Sequence, residues 1–151
     1  MTEETPDPSP NPIAPPPDET LYRQAHPIHK KLDGSLSAGI FTPTKRDQGM
    51  LSTHREKIGA AESYRRWTED LDHDSMGTLG VSLEEIDAVG VASDDGSGQY
   101  YGLQAIDDAD MIGVPDHASV DFVGVPTPGK RKQAGRKLLE AAVARGFLYQ
   151  P

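Results

Sequence analysis

The chain contains no cysteine among its 151 residues. It therefore has no disulfide framework, and no thiolate is present to act as a nucleophile or as a metal ligand. The sequence also lacks an apolar stretch of about 18 residues, and no basic segment followed by an apolar run opens it, so we expect neither a membrane span nor a secretory signal. These absences predict a soluble, cytoplasmic protein that does not contact a membrane.

Basic residues are missing from the middle of the chain. No Lys or Arg lies between Trp67 and Gly129, where fourteen acidic residues occur. The formal net charge of −9 argues against general nucleic-acid binding, because affinity for phosphates needs an electropositive surface. Five bases then follow within eight residues, at Lys130, Arg131, Lys132, Arg136 and Lys137. They are interpreted either as a surface that binds a phosphate or an acidic protein partner, or as compensation for the acidic middle within the same fold.

The composition changes near residue 20. Residues 1–20 hold seven Pro and five acidic residues but no Lys or Arg, and such a segment cannot bury enough apolar area to offset its ordering entropy. The pattern predicts a disordered, Pro-rich acidic arm at 1–20, or alternatively a ligand for a proline-reading domain. Residues 21–151 are long enough to form one domain with its own core.

The pattern of apolar residues predicts an α+β domain with a mixed or antiparallel sheet and two main helices. Leu21 to His26 is predicted as a first strand, which forms a hairpin with an extended segment at 35–41. Further strands are predicted at 78–81, 117–123 and 147–149.

Two helices carry clear signals. The first follows Gly59, where apolar residues recur at helical spacing. The second begins at Thr127, which can cap it, and ends at Gly146. A capping box at Ser82 and Glu85 predicts a shorter helix between them.

Several metal and nucleotide sites are excluded by their patterns. Asp70, Asp72 and Asp74 match the start of a calcium loop, but Ser75 replaces the required Gly and no Glu closes the loop. Convergence of His26, His54 and His117 on zinc has no support in their spacing. No Gly-x-Ser-x-Gly motif or phosphate-binding glycine loop is present. We therefore expect no metal and no cofactor.

Four polar residues remain as candidates for catalysis. Arg23 on an early strand can bind a phosphate through its guanidinium, and Glu62 near the start of a helix can stabilise developing positive charge. His26 and Ser52 lie between them in sequence. Together they suit chemistry on a nucleotide or on NAD. In the alternative interpretation, Arg23 and Glu62 form structural ion pairs, and Arg66 lies at the favourable i,i+4 position from Glu62.

The stretch from Leu21 to Tyr149 resembles a family of small bacterial proteins to which no activity is attached. The shared pattern consists of Leu-Tyr-Arg-Gln-x-His-Pro at 21–27, Phe-x-Pro-Thr-x-x-Asp-x-Gly-x-Leu-Ser at 41–52, His-Ala-x-Val-Asp-Phe at 117–122 and Arg-Gly-x-Leu-Tyr at 145–149. This resemblance implies no function by itself.

The chain is also similar, more weakly, to toxins of the RES type, which are related to ADP-ribosyltransferases and degrade NAD. Arg23, Phe41 and Glu62 look like counterparts of residues in that family, and the final helix followed by Gly146 fits its order of elements. The family's late catalytic Ser has no counterpart here, since the sequence reaches Pro151 where it is expected. This likeness implies NAD as a substrate.

Taken together, the residues and these resemblances lead to two expectations. The first is a soluble, non-catalytic binding or regulatory module of a bacterial conflict or stress system. The alternative is an enzyme that processes NAD or a nucleotide through Arg23, His26, Ser52 and Glu62.

Overall fold

A computed structural model describes residues 11–12 and 18–151. Its eight strands are β1 (Asn11–Pro12), β2 (Thr20–Gln24), β3 (Met50–Arg55), β4 (Thr78–Ser82), β5 (Gly90–Ala92), β6 (Tyr100–Gly102), β7 (Gln104–Asp107) and β8 (His117–Asp121). Six of them form one antiparallel sheet in the order β1-β7-β8-β3-β2-β4, and β5 pairs with β6 in a small second sheet. The predicted α+β class is confirmed, and the sheet is antiparallel.

In the described part of the chain, four α-helices accompany the sheets: α1 (Ala60–Arg65), α2 (Leu83–Asp87), α3 (Ala109–Ile112) and α4 (Pro128–Arg145). A π-helical turn at Arg66–Asp70 extends α1. The Ser82 and Glu85 side chains close the predicted capping box of α2. The Thr127 hydroxyl caps α4, which ends at Gly146 as predicted.

The two faces of the main sheet differ in chemistry because side chains alternate along each strand. One face carries apolar residues, and these pack with α4 and with a 3-10 helix at Ala38–Phe41 in one core. The strand residues of that core include Leu21, Leu51, Leu79, Val81, Ala118 and Val120. The opposite face carries mostly polar residues and is covered in part by α1.

Gly135 lies where α4 crosses the 3-10 helix at Ala38–Phe41. A Cβ atom at this position would overlap the Thr42 hydroxyl and would lie 2.9 Å from the Phe41 carbonyl oxygen. The glycine therefore allows the close approach of two backbones. Its low helix propensity, which costs about 1 kcal/mol in a helix interior, is offset by this packing.

The predicted first hairpin is wrong. Residues 38–41 form a 3-10 helix rather than a strand, and β2 pairs instead with β3 and β4. Pro43 and the tight contact at Gly135 favour the helical turn over an extended segment. The terminal strand predicted at 147–149 is reduced to an isolated bridge between Thr78 and Tyr149.

Parts of the predicted arm at 1–20 contact the folded chain. Glu19 binds Arg55 at 2.7 Å, and Asn11 and Pro12 pair with β7, so these parts of the predicted arm contact the fold. The rest of the arm, at 1–10 and 13–17, lies outside the described residues. Within the described part of the chain, no helix is long and apolar enough to cross a membrane.

The contact at Gly135 predicts that Gly135→Ala lowers the free energy of unfolding by about 1–3 kcal/mol, because the added methyl group has no room. Gly129→Ala is the matched control in the same helix, since no atom lies within 4 Å of the position that its Cβ would take. We expect that control to be neutral or stabilising by up to about 1 kcal/mol. Urea unfolding of the three proteins measures the difference. Equal stability of the two variants would contradict the role assigned to Gly135.

Candidate functional site

The polar face of the sheet brings two histidines together on neighbouring strands. His54 on β3 lies directly opposite His117 on β8, and Tyr22 on β2 lies opposite His54 on the other side. One pair along, Ser52 lies opposite Ser119. Directly opposite residues share a face of the sheet and have Cβ atoms about 4.5–5.5 Å apart. Residues distant in sequence therefore form one polar patch.

A buried hydrogen-bond network joins this face to α1. The Gln24 Nε2 donates to the Ser63 hydroxyl at 3.0 Å and to the Thr78 hydroxyl at 2.9 Å. Thr78 donates in turn to the Ala60 carbonyl at 3.0 Å, while Ser75 donates to the Gln24 Oε1 at 2.8 Å. The His54 Nδ1 contacts the Ser63 hydroxyl at 2.9 Å. The network holds α1 against the polar face of the sheet and fixes the orientation of the His54 ring.

A second network lies at the other edge of the patch. Asp108 is 2% exposed, and its two carboxylate oxygens each accept one hydrogen bond. His117 Nδ1 contacts one oxygen at 2.6 Å, and the Ser119 hydroxyl contacts the other at 2.6 Å. A histidine held at Nδ1 by a buried carboxylate keeps one ring orientation and leaves Nε2 for another partner.

Above the patch lies a cavity of about 280 Å³. Tyr22, Ser52, His54 and His117 supply polar groups to its wall. The apolar part of its wall consists of Trp67, Leu71, Ile112 and Val114. Small-molecule sites are lined in this way, with mostly apolar walls and a few oriented polar groups, and have volumes of about 300–1,000 Å³. The cavity therefore suits a ligand, or part of one, that contains one or two rings.

Trp67 is held rigidly at the cavity wall. Its indole Nε1 donates to the Asp74 carbonyl at 2.9 Å, and its ring lies against His73 with the centroids 4.4 Å apart. The chain has one tryptophan, so its fluorescence reports on this cavity alone.

Arg23 also lines the cavity, and its charge is not neutralised by a nearby acid. Its Nε donates to the Ile40 carbonyl at 2.8 Å and its Nη1 to the Ser52 carbonyl at 2.9 Å. The described residues offer it no ion pair, and burial lowers its pKa to about 10, with a weaker opposing effect from the charge of Asp47. Arg23 is half-buried, and a partly desolvated cation without a counterion is costly. Arg23 lies opposite Leu79 and its guanidinium reaches the Ile40 carbonyl on the apolar face, so it meets the cavity at the Ser52 carbonyl, with N–H groups left for an anion.

The four residues predicted for catalysis separate into three places. Arg23 and Ser52 line the cavity together. His26 does not line it; its side chain accepts a hydrogen bond from the Ile28 amide and caps a 3-10 turn. Burial is the main reason that the pKa of His29 is lowered, and the nearby charges of Arg23 and His26 lower it as well. His26 and His29 therefore lie near Arg23 but outside the cavity wall.

Glu62 lies outside the cavity wall, on α1. Its carboxylate binds Arg65 at 2.5 Å and Arg66 at 3.3 Å, so the predicted i,i+4 pair exists. The hydrogen bond from Arg65 is the main reason that the pKa of Glu62 falls to about 2. Arg23 and Glu62 do not line a common cavity. Glu62 instead orients Arg66, which lines a neighbouring cavity of about 270 Å³ that shares His54, Leu71 and Val114 with the first.

The five bases predicted to bind a partner differ in their contacts. Lys130 donates to the Ala92 carbonyl and to Asp94, and its side chain is only 12% exposed. Arg131 donates to the Val125 carbonyl. Lys132, Arg136 and Lys137 are exposed on α4. Lys130 therefore fits the interpretation as internal charge compensation. Three of the other four bases are exposed to solvent.

The exposed Arg136 borders a larger cavity, a groove of about 740 Å³ between α4 and the loop at residues 30–36. Leu36, Met76, Leu139 and Phe147 supply much of its apolar wall. Concerning metals, the described residues contain no cluster of three or more His, Asp or Glu side chains that could hold an ion.

Strand β3 and the hydrogen bonds of the Asp108 network were not predicted from the sequence, although the strand predicted at 117–123 is present as β8. Residues 51–54 alternate apolar or buried side chains with Ser52 and His54, which is a strand signal, as is the alternation of His117 and Ser119 with Ala118 and Val120. The contact between Asp108 and His117 had no sequence signal, because it joins a loop residue to a strand. The pair emerges only from the fold.

The position of His54 predicts an unusual titration. Burial, with a smaller effect from the charges of Arg66 and His117, lowers its pKa from 6.5 to about 4, and the acids Asp116 and Glu62 oppose this shift only weakly. Between pH 6.5 and pH 4 this residue binds more protons in the unfolded chain than in the native state. The free energy of unfolding therefore decreases as the pH falls from 6.5 to 4.

NMR titration of the His54 ring checks this value. We expect Arg66→Gln to raise the His54 pKa, because it removes the largest charge contribution, and Arg65→Gln, at the adjacent position, to leave it nearly unchanged. A wild-type ring that titrates near 6.5 would contradict the burial argument.

Comparison with protein-family models, with characterised proteins and with solved structures gives no significant match to this chain. The two family resemblances therefore stay predictions.

Proposed function

We propose that the domain is a binding module for a small, ring-bearing anion of the nucleotide class, and that the ligand occupies the cavity whose wall includes Trp67. One observation carries this proposal: Arg23 lines the cavity and has no carboxylate partner among the described residues. A phosphate or carboxylate group would supply the missing counterion and accept the remaining guanidinium N–H groups.

The remaining cavity wall supports the ring part of this ligand. Trp67, Leu71 and Val114 give apolar contact, and the aromatic ring of Trp67 can stack on a planar group. Ser52, His54 and His117 offer hydrogen bonds that orient it. A cavity of about 280 Å³ takes the ring end of a nucleotide and leaves the rest outside.

Processing of NAD stays an alternative within this proposal. Ser52 and Arg23 support it by lining the cavity, whereas Glu62 binds Arg65 and Arg66 outside the wall. Release of nicotinamide from NAD by the wild type, lost in Arg23→Ala and in Glu62→Gln, would favour the enzyme over the binding module. A role in a bacterial conflict or stress system stays a prediction.

Titration with NAD and with nicotinamide mononucleotide, followed by Trp67 fluorescence, tests the binding proposal. We expect saturable binding that Arg23→Gln weakens at least about tenfold, since a hydrogen bond to a charged group contributes about 1.5–3 kcal/mol. Arg46→Gln is the matched control, because Arg46 is exposed and outside the cavity wall. Equal affinity of the Arg23 variant and the wild type would refute the anchoring role of Arg23.

A second candidate function is the binding of an acidic protein segment at the exposed bases of α4. It is supported by the exposure of Lys132, Arg136 and Lys137 and by the apolar groove that Arg136 borders. Apolar anchors flanked by carboxylates would fit such a surface.

Affinity capture from a cell extract with the wild type and with the triple variant Lys132→Glu, Arg136→Glu, Lys137→Glu tests this second candidate. We expect the variant to lose the partner and the control Lys45→Glu to keep it, because Lys45 is exposed but lies outside the groove. An identical set of captured proteins from all three would exclude the basic surface.

A further inference from the structure

The hydrogen-bond network under the cavity fixes where the protons lie, beginning at a backbone carbonyl. The Ala60 carbonyl can only accept, so the Thr78 hydroxyl donates its proton there. The Thr78 oxygen must then accept from the Gln24 side chain, which identifies that atom as the amide nitrogen. The Gln24 oxygen correspondingly accepts from Ser75. Gln24 therefore has one orientation.

The same reasoning assigns the proton of His54. Ser63 accepts from the Gln24 Nε2, and the other hydrogen-bond contact of its hydroxyl among the described residues is the His54 Nδ1 at 2.9 Å, so the Ser63 proton is donated there. Since Nδ1 accepts, a neutral His54 carries its proton on Nε2. The low pKa of His54, about 4, keeps the ring neutral at physiological pH.

His117 has the opposite arrangement. An ionised Asp108 can only accept hydrogen bonds, so the Ser119 hydroxyl and the His117 Nδ1–H group both donate to it. In a neutral ring, a proton on Nδ1 leaves Nε2 with a lone pair. His117 therefore presents an acceptor where His54 presents a donor.

His54 and His117 are directly opposite residues on neighbouring strands, and both line the cavity. We infer that His54 Nε2–H and His117 Nε2 form an adjacent donor and acceptor pair, which selects a ligand with a carboxamide or lactam edge. This inference rests on the proposed binding function and specifies its ligand class. Such an edge offers a carbonyl oxygen to His54 and an N–H group to His117.

A carboxylate in the same position fits poorly. Its two oxygens are both acceptors, so one can accept from His54 while the other faces the lone pair of His117. A site built to pair a ligand N–H group is left with an unsatisfied polar atom when that group is missing, which costs affinity. The pair therefore distinguishes an amide from the acid of the same shape.

Nitrogen NMR of the ligand-free wild type at pH 8 tests the proton positions without any ligand. We expect a protonated Nε2 on His54 and an unprotonated Nε2 on His117. A proton on the His117 Nε2, or on the His54 Nδ1, would overturn the inference whatever the cavity binds.

Nicotinamide mononucleotide and nicotinic acid mononucleotide form a matched pair of probes, since they differ only in carrying an amide or a carboxylate on the ring. We expect the amide to bind at least about tenfold more tightly to the wild type at pH 8. Equal affinity, or preference for the acid, would overturn the inference and leave the proposed anion site in place. Binding of neither compound would overturn both.

Asp108→Asn provides the decisive variant. Ser119 can continue to donate to the remaining oxygen, so the new amide NH₂ group faces the His117 Nδ1 and donates to it. The His117 proton then moves to Nε2, and the cavity presents two donors. We expect the preference to shift at least about tenfold toward the acid. An unchanged preference, in a variant that shows the shifted His117 proton by NMR, would refute the pair as the source of selectivity.

Discussion

Every buried polar group on or beside the polar face of the main sheet must have a hydrogen-bond partner, and this requirement organises the domain. Gln24, Ser63, Thr78 and Asp108 are all nearly inaccessible to water, and leaving one such group unpaired costs about 1–3 kcal/mol. Within the described residues no buried side-chain nitrogen or oxygen lacks a partner. The position of α1, the orientation of both histidines and the shape of the cavity follow from the few arrangements that meet this condition.

In the fold, acidic and basic residues that are segregated along the chain form ion pairs with one another. The acidic middle is matched by bases that come from before and after it: Arg55 binds Asp107, Lys57 binds Asp116 and Arg145 binds Glu85. Each pair joins elements that are distant in sequence, so the ion pairs act as ties between elements. Arg23 is set apart from them because it faces backbone carbonyls instead of a carboxylate.

The sequence predicted those features that depend on local chemistry. The cap at Thr127, the capping box at Ser82 and the ion pair of Glu62 with Arg66 each involve residues at most four positions apart. The α+β class was predicted from the same kind of signal. The wrong hairpin at 35–41 arose because the segment packs against Gly135, nearly a hundred residues away, and local propensity cannot report such a contact.

The candidate site was predicted only in part, for the same reason. Arg23 and Ser52 were selected by residue type, and both line the cavity. The role of His117 depends on Asp108, and the arrangement of His54 depends on Ser63 and Gln24. These contacts join a loop or a helix to the sheet, so no spacing in the sequence signals them.

Strand β3 lies between β8 and β2, and its partner Ala118 is 65 residues from Thr53. Closing so long a loop costs entropy before the paired strands return any stabilisation, so this pairing depends on the cooperative formation of the whole domain. The cavity wall draws on β2, β3, β8 and the π-helical turn. No local unit of the chain can form it alone, and a molecule bound there would stabilise the domain against global unfolding rather than against the opening of one loop.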